Sequence, residues 1–90
     1  MTDILFDKRI SHDFGGVNTC ASRAMAEQEA VMVCERVVRK TADSMGASLK
    51  GDIVNVNLVQ HTDKNRKNQT TGEAGCTAHI VFDCKAILVK

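Results

Sequence analysis

The sequence predicts an α+β domain: one long helix packed on a small three-stranded, mainly antiparallel sheet, in the order β-α-β-β. Three observations carry this expectation. Apolar and polar residues alternate over 3–10, 53–60 and 75–90, the mark of strands with one dry face. Over 20–45 the period lengthens to that of a helix. Glycine-bearing or polar stretches separate these four segments, and nothing repeats, so residues 1–90 form a single domain.

In the first segment, "DILFDKRI", Ile4, Phe6 and Ile10 face one way and Asp7 and Arg9 the other. "SHDFGGVN" follows as a loop broken by Gly15 and Gly16, and Asn18 or Thr19 can cap the helix that comes next. Within that helix Ala24, Val31, Val38 and Met45 recur every seven residues, with Cys34 and Ala42 on the same stripe. Ser22, Glu29, Arg36, Lys40 and Asp43 form the solvent face. Gly46 supplies the left-handed residue that ends a helix. A rod of this length, roughly 39 Å at 1.5 Å per residue, must lie across a sheet or a neighbouring subunit to bury its stripe.

"ASLKGD" turns the chain into "IVNVNLVQ", where Val54, Val56 and Leu58 point inward and Asn55 and Asn57 outward. A polar segment over 61–75 carries Lys64, Arg66 and Lys67 with no large apolar residue to anchor it, and is expected to be a flexible loop. The last strand sets Ala78, Ile80, Phe82, Cys84, Ala86 and Leu88 on one face, beneath the helix. His79, Val81, Asp83, Lys85 and Ile87 occupy the other, a mixture too apolar for a fully solvated surface.

Composition narrows the function. The chain is 43% hydrophobic and 26% charged with a net charge of +1, ordinary globular material without the basic stripe of a nucleic-acid binder. Nucleic acid is therefore not an expected partner. No apolar run approaches the ~20 residues that span a bilayer, and the N-terminus lacks the form of a signal peptide. The expected location is cytoplasmic, where Cys20, Cys34, Cys76 and Cys84 stay reduced. Ninety residues bury a marginal core, for which homo-oligomerisation is a common remedy, and exposed sheet edges invite it.

Catalytic signals are absent: the chain has no phosphate-binding glycine loop, no nucleophile elbow and no HExxH. Ser11, His12 and Asp13 are consecutive, whereas triads assemble in space. Cys20, in the first helical turn, is the best-placed thiol for a lowered pKa, and an N-terminal turn residue is the plainer role for it. No pair of metal ligands has zinc-site spacing. A site gathered in space from Cys20, Cys76 and His12 is the alternative, for a transition metal such as zinc; otherwise no cofactor is expected. Cys20 and Cys76 would instead pair as a disulfide if the protein were exported.

The stretch "ADSMGASLKGDIVNVNLV", which ends an alanine-rich helix and enters an alternating strand, resembles the YbjQ-like heavy-metal-binding family. The closing "GCTAHIVFDCKAILVK" looks like that family's glycine-led last strand, and dodecins share the element order. The likeness covers about residues 24–90. It implies a small α/β subunit that builds a ring or shell by pairing sheets between copies. Dodecins stack flavin on a tryptophan, which this chain lacks, so no cofactor is carried over. The cysteines are also reminiscent of an envelope-stress lipoprotein domain with two disulfides. That group has a lipid-modified N-terminus, not found here, and its pairings are not carried over.

The functional expectation is a small, non-enzymatic, homo-oligomeric binding or protein-interaction module of adaptor or inhibitor type. Its contacts would lie on the 61–75 loop and the exposed sheet face, through Asn55, Asn57, His61, Lys64, Arg66, Lys67, His79 and Asp83. The alternative is a metal- or thiol-responsive protein using His12, Cys20 and Cys76.

Overall fold

The computed structural model describes residues 2–17, 20–67 and 74–90, with the backbone alone for Gly16, Val17, Asp52, Arg66 and Ala74. Along the chain come β1 (Asp3–Val17), α1 (Arg23–Met45), β2 (Ser48–Lys67) and β3 (Ala74–Val89). The class is α+β, with one helix on an antiparallel sheet. In space the order is β1-β3-β2, so the last strand is the central one. β2 is not one uninterrupted strand. Its register against β3 breaks between Leu49 and Val54 and again between Leu58 and Gln60. Gly51, at φ 67°, supplies the left-handed residue in the first break.

The strands are longer than the alternation implied. "SHDFGGV" continues β1 instead of forming a loop, with Gly15 and Gly16 paired to Thr77 and Cys76. "SLKGD" belongs to β2. The segment expected as a flexible 61–75 loop is strand over 61–67 and again over 74–75; residues 68–73 lie outside the described residues. Polar composition hid these extensions, because a strand whose neighbours satisfy its backbone groups does not need apolar side chains to persist. The described residues reach 56 × 22 × 17 Å with a radius of gyration of 16.0 Å. A spherical domain of this length has about 12 Å.

The helix starts at Arg23. Ser22 is its N-cap, with its hydroxyl accepting from the Met25 amide at 3.2 Å. The cap expected at Asn18 or Thr19 lies outside the described residues. At the other end Gly46, at φ 68°, stops the helix as expected, and the Ala47 amide donates to the Ala42 carbonyl at 2.8 Å. The buried line runs through Ala26, Ala30, Val33, Cys34, Val38 and Ala42. Ala24 and Val31, expected on that line, are exposed. A seven-residue repeat drifts about 20° per heptad on a straight helix, so the first two members of the series rotate out of the core.

β3 is the floor of the core. Ala78, Ile80, Phe82, Cys84, Ala86 and Leu88 are all buried, as the alternation predicted, and the helix covers them. Flanking residues from both outer strands complete each row: Ile4, Leu88 and Leu49; Phe6, Ala86 and Val54; Ile10, Phe82 and Leu58.

Two disulfides fasten the helix side to β3: Cys34–Cys84, with Cα atoms 5.5 Å apart, and Cys20–Cys76, at 4.9 Å. Both separations suit a disulfide. This corrects the expectation of four reduced thiols. Cys34 and Cys84 both lie in the core, as the two periodicities predicted, but as a covalent pair.

Candidate functional site

With the helix on one side, the other face of the sheet is uncovered among the described residues, and its rows follow from the register. The end row is Asp3, Val89 and Ser48, and Leu5 pairs with Ile87 beside it. Next come Asp7, Lys85 and Asn55, then Arg9, Asp83 and Asn57. Beyond these lie Ser11, Val81 and Gln60, then Asp13, His79 and Thr62, and last Gly15, Thr77 and Lys64. Apolar side chains are thus concentrated near one end of the face, and polar rows fill most of the rest.

The apolar end is a concavity of about 440 Å³ bordered by Leu5, Lys50, Ile53, Asn55, Lys85 and Ile87. Leu5 is 71% exposed, Ile53 65% and Ile87 43%. Single exposed aliphatics are ordinary, but three around one hollow are a patch with meaning. Charges of both signs rim it: Lys50 Nζ lies 3.0 Å from an Asp3 carboxylate oxygen and Lys85 Nζ 4.0 Å from one of Asp7.

In the middle, Arg9 grips Asp83 with two parallel bonds, Nε to Oδ1 at 2.8 Å and Nη2 to Oδ2 at 3.2 Å. The hydrogen bond from Arg9 is the main cause holding the Asp83 carboxyl below its usual range. The charges of Arg9 and Lys85 add to it, and partial desolvation opposes it. The same bond raises Arg9. Asn55 and Asn57 flank Asp83 and Lys85 in a hollow of about 190 Å³. Further along, His79 Nδ1 bonds Asp13 Oδ1, and His79, Asp13, Gln60, Thr62, Lys64 and Thr77 line another hollow.

Of the residues expected to bind, Asn55, Asn57, Lys64, His79 and Asp83 stand on this open face. His61 does not: the bulge before Gln60 turns it to the helix side, opposite Ile80, where its Nε2 lies 2.9 Å from Asp63 Oδ1. Lys67 is exposed at the end of β2, and the Arg66 side chain lies outside the described residues. Leu5 and Ile53 were legible as hydrophobic but not as exposed, because only the register reveals which face of an edge strand stays bare.

On the helix side the far end of the sheet turns polar. His12, Ile80 and His61 form one row, Phe14, Ala78 and Asp63 the next, and Gly16, Cys76 and Asn65 the last. Sγ of Cys20, Sγ of Cys76 and a carboxylate oxygen of Asp63 lie within 4.8 Å of one another. Asn65 Oδ1 is 3.3 Å from Cys20 Sγ. Of the three expected metal ligands, Cys20 and Cys76 are together. His12 pairs instead with Glu29 at 3.3 Å, four residues along β1 from Gly16, the partner of Cys76. That is roughly 13 Å at 3.3 Å per residue.

No helix among the described residues is long and apolar enough to cross a membrane. The chain matches no family model, no curated protein and no solved structure.

Proposed function

We propose that this chain is a non-catalytic binding module that self-associates through the apolar end of its open sheet face and presents the polar end to a protein partner. The carrying observation is the clustering of Leu5, Ile53 and Ile87 on a face that no element among the described residues covers. Burying one such aliphatic contributes roughly 2 kcal/mol. A second copy suits the patch because its rim, Asp3 with Lys50 and Asp7 with Lys85, carries equal numbers of both charges. A two-fold axis through the hollow would set the apolar residues against the same patch of the second copy. The resemblance to dodecin-like subunits, which pair sheets between copies, points the same way.

Asn55, Asn57, Lys64, His79 and Asp83 form the remaining contact surface, with Lys67 at its end. Charged and polar side chains of both signs around open hollows favour a protein surface over a small molecule. The two disulfides favour an oxidising compartment over the cytoplasm expected from the sequence.

Light scattering over a hundredfold range of concentration tests the reading. A dimer or larger ring is expected, and Leu5→Asp should weaken association at least tenfold while leaving the circular dichroism spectrum unchanged. A chain that is monomeric at every concentration would sink it.

A further inference from the structure

We propose that the Cys20–Cys76 disulfide is a reducible latch over a divalent transition-metal site. In the dithiol state its ligands are the two thiolates and the Asp63 carboxylate.

The three candidate donor atoms already lie within 4.8 Å of one another. The edge of a zinc tetrahedron with thiolate ligands is roughly 3.7 Å, from Zn–S bonds of about 2.3 Å. Breaking the S–S bond and separating the sulfurs by a small rotation at exposed Cys20 makes that geometry. Two further contacts favour the opened form. Asn65 Oδ1 stands 3.3 Å from Cys20 Sγ, where a thiol can donate a hydrogen bond and a disulfide sulfur has no proton to give. His61 Nε2 lies 2.9 Å from Asp63 Oδ1, where an imidazole N–H on that nitrogen holds the carboxylate, as outer-shell partners of metal ligands do.

Electrostatics makes the dithiol a cation trap. Two thiolates and a carboxylate would place three negative charges within 4.8 Å. Binding of a divalent ion to the two thiols releases both S–H protons and leaves a complex of net charge −1. Two sulfur ligands select zinc and similar borderline ions over magnesium or calcium. Three protein ligands leave a fourth position open.

Access separates this disulfide from the other. Cys20 is exposed, whereas Cys34 and Cys84 are both 0% exposed in the core. Thiol–disulfide exchange needs the attacking group to reach sulfur, so a reductant opens the outer bond first. With a cellular dithiol, two S–H bonds form on Cys20 and Cys76 as the donor becomes a disulfide. With a phosphine, water supplies the two protons and its oxygen ends on phosphorus as the oxide.

The test uses the whole chain and a graded phosphine reductant, followed by alkylation and peptide mapping. Cys20 and Cys76 are expected to be labelled at a reductant concentration at least tenfold below that needed for Cys34 and Cys84. Cobalt(II) added to this half-reduced protein should give a thiolate-to-metal charge-transfer band saturating at one ion per chain; the oxidised protein should give none. Asp63→Asn should weaken cobalt binding tenfold or more, and Cys20→Ser should abolish the band. Release of all four thiols together, loss of the folded circular dichroism spectrum on opening the outer bond, or cobalt affinity unchanged by Asp63→Asn would each overturn the proposal. None of these readouts depends on self-association, so the two proposals fail separately.

Discussion

The two disulfides join the same pair of layers, yet they sit in opposite surroundings. Cys34–Cys84 lies in the row of Lys8, Cys84 and Val56, next to that of Phe82, sealed under the middle of the helix. Cys20–Cys76 lies beyond the helix start, in a row flanked by Gly16 and Asn65 and beside Asp63. The first replaces a packing contact by a bond within a core that is already dry. The second fastens an end where the flanking residues are polar and a core would not hold by itself. Chain separation does not distinguish them: the bonds close 56 and 50 residues, which on loop entropy alone are each worth about 4 kcal/mol. Any measured difference therefore reports environment.

The sharpest break of this comparison is at the buried end. Phe82→Ala removes the largest fully buried side chain and is expected to cost about 3–5 kcal/mol in urea unfolding. A loss below about 1 kcal/mol would mean that the sheet and helix do not share one core. Next in size is the disulfide pair itself. Cys34→Ala with Cys84→Ala should cost about 2–5 kcal/mol, and more than Cys20→Ser with Cys76→Ser, because the former also removes packed sulfur from the core. Equal losses would show that loop closure outweighs burial.

A smaller effect is expected at the helix start, near the outer disulfide. Ser22→Ala leaves the Met25 amide without its acceptor and should cost about 1 kcal/mol. In the Cys20→Ser, Cys76→Ser background the same change should matter less, since the helix start is then no longer tethered.

The smallest effect lies on the open face at the Arg9–Asp83 pair. The Asp83 pKa is lowered in the folded chain, so its contribution is present above the unfolded carboxylate pKa and fades as pH falls through the lower folded value. Stability of the native chain relative to Asp83→Asn should therefore shrink on acidification below the ordinary carboxylate range. A difference that grows there would reverse the assigned direction.

Much of the fold was legible from periodicity, most clearly in β3, where six alternate residues from Ala78 to Leu88 are the buried ones. The inward faces of Val54, Val56 and Leu58 and the stop at Gly46 were legible for the same reason: each rests on a local rule of side-chain direction or backbone dihedral. The continuation of β1 through Gly15 and Gly16 and of β2 through Lys67 was not, since those segments carry loop-like residues and are held by hydrogen bonds to β3. The candidate surface divides likewise. Asn55, Asn57, His79 and Asp83 follow from alternation, whereas the side taken by His61 depends on one bulge that shifts every later residue to the opposite face.

Alternation and helical period alone determined that one side of the last strand is dry and that Cys34 and Cys84 both point into the core. They could do so because side-chain direction in a strand or helix is a local property of the backbone. Only the tertiary structure decided that these thiols are bonded, that Cys20, Cys76 and Asp63 converge, and that Leu5, Ile53 and Ile87 share one bare hollow. Each of those depends on register between segments tens of residues apart, set by the sum of many cross-strand contacts and by bulges that carry no signature in the residues themselves.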